Sequence, residues 1–352
     1  MRDTVTVGTP RPTWQEVGKR TAGMCIIPVL CWGIMSLACR AAGTSLLTGV
    51  STLRLFVRGL TYVLLLSFGV SINMHTGRFD FATGAVMLLG GVSGAMIAYG
   101  NGWGPWGMLA VSIPTGAAAG CLSGLLYIHL RLPPMIIGLG MTLVLEGIVA
   151  IITGGCRPVG FGADAAYYRF SVNIPAMLLL GGTALLLMIL IFHYTRFGYD
   201  YRALQTGQRI AVNTGVRESA NALGCYALSG GLFGAAGAVS LCSTNGITPT
   251  INFSTIASMF ACFLPLFFSG FISKFCNKQV AILLGCVGYE FIQIGFGQLS
   301  FRIASFTSDV YKVIEAVILV LFLIYLNNEG LIIDVITLRR FRDTRGRKES
   351  AA

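Results

Sequence analysis

Ten stretches of about twenty mostly apolar residues divide this chain, and they leave it few folds to adopt. Hydrocarbon offers no water to bond peptide N–H and C=O groups, so a segment crossing it must satisfy them internally, as a helix does. The stretches predict spans over 21–39, 56–74, 81–99, 105–129, 133–153, 175–194, 222–242, 254–272, 280–298 and 313–326. The expected fold class is an all-α polytopic membrane protein. Residues 1–20 form a cytoplasmic N-terminal segment ahead of a transmembrane domain over 21–326, and 327–352 form a basic cytoplasmic tail.

Cytoplasmic loops of membrane proteins carry an excess of Lys and Arg. Placing the N-terminus inside and alternating sides puts 18 of the 25 basic residues in cytoplasmic segments and six outside, with Arg58 left in the second span. The distribution predicts that both termini are cytoplasmic. The basic N-terminus and first apolar run read as an uncleaved span, because 21–39 is long for a signal-peptide core.

Composition then excludes other classes. Only 11% of residues are charged and 55% are hydrophobic, against about 25% charged in soluble domains. The formal charge of +11 sits in short loops between apolar runs rather than on one folded basic face, so nucleic acid is not an expected partner. Of ten cysteines only Cys156 falls in an outer loop, which speaks against a disulfide framework. No GxxxxGK[ST] loop occurs: Gly18-Lys19 is followed by Arg20. His75, His129 and His193 lie at separate span ends without ligand spacing. The chain is expected to bind no cofactor or metal and to catalyse no reaction alone.

An internal repeat is legible. FDFATGA at 79–85 and INFSTIA at 251–257 agree at Phe81/Phe253, Thr83/Thr255 and Ala85/Ala257, with Asp80 answering Asn252. The copies open the third and eighth spans from opposite sides, which predicts an inverted five-plus-five repeat, an arrangement typical of transporters. Asp80 and Asn252 are expected first as helix caps and second as groups on a solute path. An ionised group within a span costs at least about 2.5–3.5 kcal/mol, so Glu146, Glu290 and Glu315 should face protein, a cavity or a partner. Glu290, Gln293 and Gly297 share one helical face, and Glu315 stands three residues after Lys312. The candidate path residues are Asn73, Asp80, Glu146, Asn252, Phe253, Glu290 and Gln293. The glycines and alanines of 230–238 predict close helix packing.

The longest cytoplasmic connection, 195–221, carries four arginines and a mixed apolar face, more than a turn requires. Here the chain resembles the membrane permeases of ABC importers of the ribose-type monosaccharide class, in the wider group that holds branched-chain amino acid and nucleoside permeases. TGRFDFATGAVMLLGGVSGAM (76–96) is similar to that family's TGGIDLSVG stretch. LPPMIIGLGMTLVLEGIVAIITGG (132–155) resembles its Leu-Pro, TLG, Arg-Gly and Gly-Gly pattern, TRFGYDYRALQTGQRIAVNTGV (195–216) its cytoplasmic segment, and LSGGLFGAAGAV (228–239) its Leu-Ser-Gly helix.

The resemblance implies import of a monosaccharide, with ATP and Mg held by a separate ABC subunit that docks on Arg196, Gly198, Arg202, Ala203, Arg209, Ala211, Gly215 and Arg217. It also implies an extracytoplasmic sugar-binding protein, a second permease copy, and a bacterial inner membrane whose lipid surrounds the spans. Three positions depart from the family: Arg78 replaces a glycine, Glu146 stands where Arg is usual, and Gly207 replaces Asn. The family's glycine-rich stretch is not recognisable in 261–278. A permease for nucleosides or branched-chain amino acids is one alternative. An ion-coupled carrier using Glu146 and Glu290 for protons is another.

Overall fold

The computed structural model describes residues 14–302 apart from 48, 131 and 163, together with 310, 313, 314, 316, 317 and 320. Most of the predicted tenth span, with Lys312 and Glu315, lies outside the described residues, as does the basic tail. Met1–Gln298 form one unit; from Leu299 onward the described residues are the last turn of α13 and a few helical positions.

The apolar runs become helices, in chain order α1 (Trp14–Ala41), α2 (Val50–Met74), α3 (Thr83–Gly100), α4 (Gly104–Leu130) and α5 (Pro134–Ile152). There follow α6 (Ala165–Ser171), α7 (Ile174–Tyr194), α8 (Arg196–Thr206), α9 (Gln208–Asn213) and α10 (Glu218–Thr244). The last are α11 (Ala257–Phe260), α12 (Phe263–Ile272) and α13 (Lys278–Arg302). Among the described residues, eight helices are long and apolar enough to cross a bilayer: α1 to α5, α7, α10 and α13. Outward-facing Ile34, Leu37, Ile151, Leu178 and Leu186 are exposed, as suits surfaces whose solvent is lipid. The chain is an all-α, multi-pass membrane protein.

Predicted span 254–272 is not one helix. It divides into α11 and α12, because Pro265 lacks the N–H that would bond the Ala261 carbonyl and its ring crowds that oxygen. Ahead of α11, Asn252 and Phe253 take φ of 75° and 61°, which ends any helical register there.

Helix α10 lies at the centre, packed on α2, α3 and α4. Its contact with α4 is backbone on backbone. A Cβ at Gly116 would strike the Gly230 carbonyl, one at Gly230 the Gly116 carbonyl, and one at Gly234 the carbonyl of Ser112. Gly116 and Gly120 on α4 and Gly230 and Gly234 on α10 recur every four residues, so each lines one face and lets the axes close to dispersion distance. A short antiparallel ladder, Val159–Gly160 with Gly246–Ile247, ties the connection after α5 to the end of α10.

Candidate functional site

The two copies of the internal repeat meet. Gly84, in the first turn of α3, lies against the backbone of Thr255, where a side chain at 84 would collide with the Thr255 carbonyl. Glycine alone permits that approach, so the starts of α3 and α11 face each other.

In the first copy the Asp80 carboxylate accepts from the Ala82 N–H at 2.9 Å, which closes a turn just ahead of α3; the N-cap of that helix is Ala82, so Asp80 is not the helix cap the sequence suggested. Asp80 Oδ1 sits directly over Gly138 of α5. Thr142, one turn further along α5, donates to the Phe81 carbonyl at 3.3 Å. Burial pushes the Asp80 carboxyl up to about 6, a rise that the Ala82 N–H partly opposes.

The second copy is held differently. The Asn252 side chain caps nothing among the described residues; it is exposed, and its residue is in the left-handed region. That corrects the expected symmetry with Asp80. The free amides are answered instead by Glu146, one turn beyond Thr142. Its Oε2 accepts from the Phe253 N–H at 3.0 Å, and its Oε1 from the Thr255 N–H at 3.0 Å, the Thr255 hydroxyl at 2.8 Å and the Ser254 hydroxyl at 3.4 Å. Only 1% of Glu146 is exposed. These bonds hold a turn whose two consecutive left-handed residues would cost about 1–3 kcal/mol each if unsupported. Gly138, Thr142 and Glu146 form one stripe, spanning about 12 Å at 1.5 Å per residue, and the stripe touches both entrances.

Five of the seven sequence-derived path candidates thus gather at the junction of α2, α3, α5 and α11. Asn73 donates to the Ser229 hydroxyl at 3.0 Å, while its buried carbonyl oxygen has no protein partner. It shares a small cavity with Phe79, Asp80, Thr83 and Met259. Asn252 and Phe253 are exposed at the turn. The other two lie on α13 away from this junction: Glu290 packs on Gly59 of α2, and the Gln293 amide donates to the Tyr289 hydroxyl.

The docking candidates occupy α8 and α9 and their flanks. Thr195 accepts from the Gly198 N–H at 3.3 Å and starts α8. Gly198, Tyr201 and Leu204 face inward, whereas Arg196, Tyr199 and Arg202 face out, so α8 is amphipathic at helical spacing. Gly198 is glycine because it rests on the Phe192 carbonyl. Arg202 lies over the Tyr199 ring at 4.6 Å and donates to the Gly198 carbonyl at 3.3 Å. Ala203 is half-buried and Ala211 buried, Gly207 joins α8 to α9, and Arg209 lies in α9. Gly215, at φ 97°, and the exposed Arg217 border a cleft of about 550 Å³ with Phe197, Asp200 and Asn221.

Sequence reasoning missed several members. Tyr201 donates to the Ile72 carbonyl at 2.9 Å and so joins α8 to the end of α2. Arg78, a departure from the family pattern, is 2% exposed and pairs with Glu218 at 3.9 Å, at the first turn of α10. Thr142 and Gly138 were detectable as small or polar residues at i, i+4 and i+8 with Glu146. No local signal marks Tyr201.

Comparison with known proteins agrees with this arrangement. The family model described as branched-chain amino acid transport system / permease component matches residues 51–326. The galactofuranose transporter permease protein YtfT of Escherichia coli is 26% identical over 170 residues, 48% of this chain and 50% of that one. The ribose import permease protein RbsC of Bacillus subtilis is 24% identical over 192 residues, 53% and 59% of the two chains. The autoinducer 2 import system permease protein LsrC of Yersinia pseudotuberculosis is 26% identical over 183 residues, 50% and 51%. The chain spans about half the length of the curated relatives it matches. With the family match running over most of its length, the chain belongs to the branched-chain amino acid transport system permease component family.

Proposed function

We propose that this chain is the permease subunit of an ATP-driven importer and forms the membrane path for a small polar solute, most of all a monosaccharide. The observation that carries the reading is the meeting of the two repeat entrances on one face of α5. Two helix starts that meet at one locus, if they enter from opposite sides as the repeat predicts, give a binding region that can open to either side. The exposed groups there are neutral. Asn252 offers an amide that both donates and accepts, Phe253 offers an aromatic face, and Glu146 is occupied by the turn. A hydroxyl-rich ring needs hydrogen bonds and an apolar platform, whereas a zwitterionic amino acid needs opposed charges. The relatives named for galactofuranose and ribose support the same choice.

Transport would draw on an ATP-binding ABC subunit that holds ATP and Mg and docks on α8 and α9. An extracytoplasmic sugar-binding protein would deliver the solute, and a second permease copy would complete the path. The chain itself acts as a transporter subunit rather than an enzyme, in a bacterial inner membrane with both termini cytoplasmic. Glu146, accepting four bonds from a turn, is poorly placed to shuttle protons, which favours ATP over an ion gradient as the source of work.

The test is reconstitution of the chain with its ATPase in proteoliposomes and uptake of a panel of labelled monosaccharides, L-leucine and nucleosides. Monosaccharide uptake that requires enclosed ATP supports the reading. Uptake without the ATPase that collapses with the proton gradient overturns it.

A further inference from the structure

Glu146 belongs to the fifth span, yet the hydrogen bonds that its side chain accepts come from residues 253–255, at the start of the eighth predicted span. The contact therefore crosses between the first five spans and those that follow. No other carboxylate among the described residues joins two membrane segments with as many bonds. The site is nearly closed to solvent, so water does not compete for these bonds.

The turn it holds is not one the chain prefers. Asn252 and Phe253 follow one another at φ 75° and 61°, a region that side chains other than glycine enter reluctantly, and phenylalanine has no polar group with which to stabilise it. Without the carboxylate the amides of 253 and 255 would lose their acceptors and the turn would relax towards negative φ. With it, the Asn252 and Phe253 side chains stand exposed.

We infer that Glu146 is a positioning residue that latches the 252–255 turn against α5 in this conformation and so holds the Asn252 and Phe253 side chains out for a passing solute. The inference rests on the permease reading above. The backbone contact of α4 with α10 holds the body of the chain together, so a solute passing this junction meets the turn as the part that can yield. By its bonds to Phe253 and Thr255, Glu146 stabilises the latched arrangement relative to any in which the turn has left α5. It thereby sets how often the resting complex switches without solute.

The experiment uses the full chain, alone and with its ATPase, in lipid nanodiscs, comparing wild type with Glu146→Gln and Glu146→Leu. Hydrogen exchange of the Phe253 and Thr255 amides should be at least tenfold faster in Glu146→Leu and intermediate in Glu146→Gln, which keeps one acceptor oxygen. Exchange in α4 and α10 should be unchanged. ATP turnover in the absence of solute should rise at least threefold in the same order. Thr255→Val, which removes only the 2.8 Å hydroxyl bond, gives a smaller change of the same sign and serves if Glu146→Leu fails to assemble.

Unchanged exchange at 253 and 255 overturns the latch. So does faster exchange spread through α4 and α10, which would make Glu146 merely structural, and so does turnover that stays at the wild-type rate. The exchange comparison needs no ATPase, so a chain that associates with none would fail the permease reading while the latch is judged by exchange alone.

Discussion

The Tyr201 hydroxyl donates to the Ile72 carbonyl at 2.9 Å, which joins the outward-facing helix α8 to the residue next to Asn73. Asn73 in turn donates to Ser229 of α10. On the proposed docking of an ATPase at α8, a displacement of that helix would be delivered to the end of α2 and to the central helix. Tyr201→Phe should leave membrane insertion and ATPase association intact. It should lower ATP-driven uptake about fivefold, as expected for loss of a bond worth about 1 kcal/mol. Parallel assays of ATP turnover and uptake check it; an unchanged ratio of the two sinks the role.

The proposed docking surface makes a second prediction. Arg196 and Arg202 are exposed on one side of α8. Reversing both to Glu should weaken ATPase binding about tenfold, or about 1.4 kcal/mol, and more at low salt than at high. Affinity measured by surface immobilisation at two ionic strengths decides the matter. Equal binding would place the contact elsewhere.

Close packing of α4 on α10 separates two kinds of glycine. Gly230→Leu puts a side chain into the Gly116 carbonyl and should abolish recovery of monodisperse protein in mild detergent. Gly147, in α5, has nothing within 4 Å of an added Cβ. Gly147→Ala should be tolerated or stabilising by up to about 1 kcal/mol, since it removes glycine's backbone freedom from a helix. Apparent melting temperatures of the two variants give the comparison.

Asp80 supplies a pH dependence. Burial raises its folded value from 3.8 to about 6, so the folded state binds the proton more tightly than the unfolded one. Its contribution to stability is complete below pH 3.8 and is lost as pH rises through 6, a change of about 3 kcal/mol. Asp80→Asn should therefore flatten the stability profile between pH 4.5 and 7.5 relative to wild type. Thermal unfolding across that window tests it. Parallel curves for the two proteins would show that Asp80 is not the titrating group.

What could be read in advance divides by the distance over which each feature is decided. Helix α2 and its counterparts follow from runs of apolar residues, and the Asp80 turn from a side chain two residues from its amide. Both are local. The division of 254–272 was legible only in part: Pro265 marks the break between α11 and α12, but the left-handed turn ahead of α11 is held by Glu146, 107 residues away, to which an apolar count is blind. Asn252 misled for the same reason: it looks like Asp80, but a carboxylate from α5 had already taken the amides it would have capped. Tyr201 reads as one more aromatic in an amphipathic helix until the fold brings it to Ile72. The Arg78–Glu218 pair likewise depends on the loop before α3 reaching the start of α10.

That separation of 107 residues also bears on how the protein is made. When α5 leaves the ribosome, its acid has no amides to receive it, and at about 5–20 residues per second the turn that supplies them is roughly 5 to 20 s behind. During this interval the nascent segment carries an unanswered carboxyl group in an apolar helix, so its stay in the bilayer depends on the insertion machinery. Synthesis order thus makes the later half a chaperone for the earlier one.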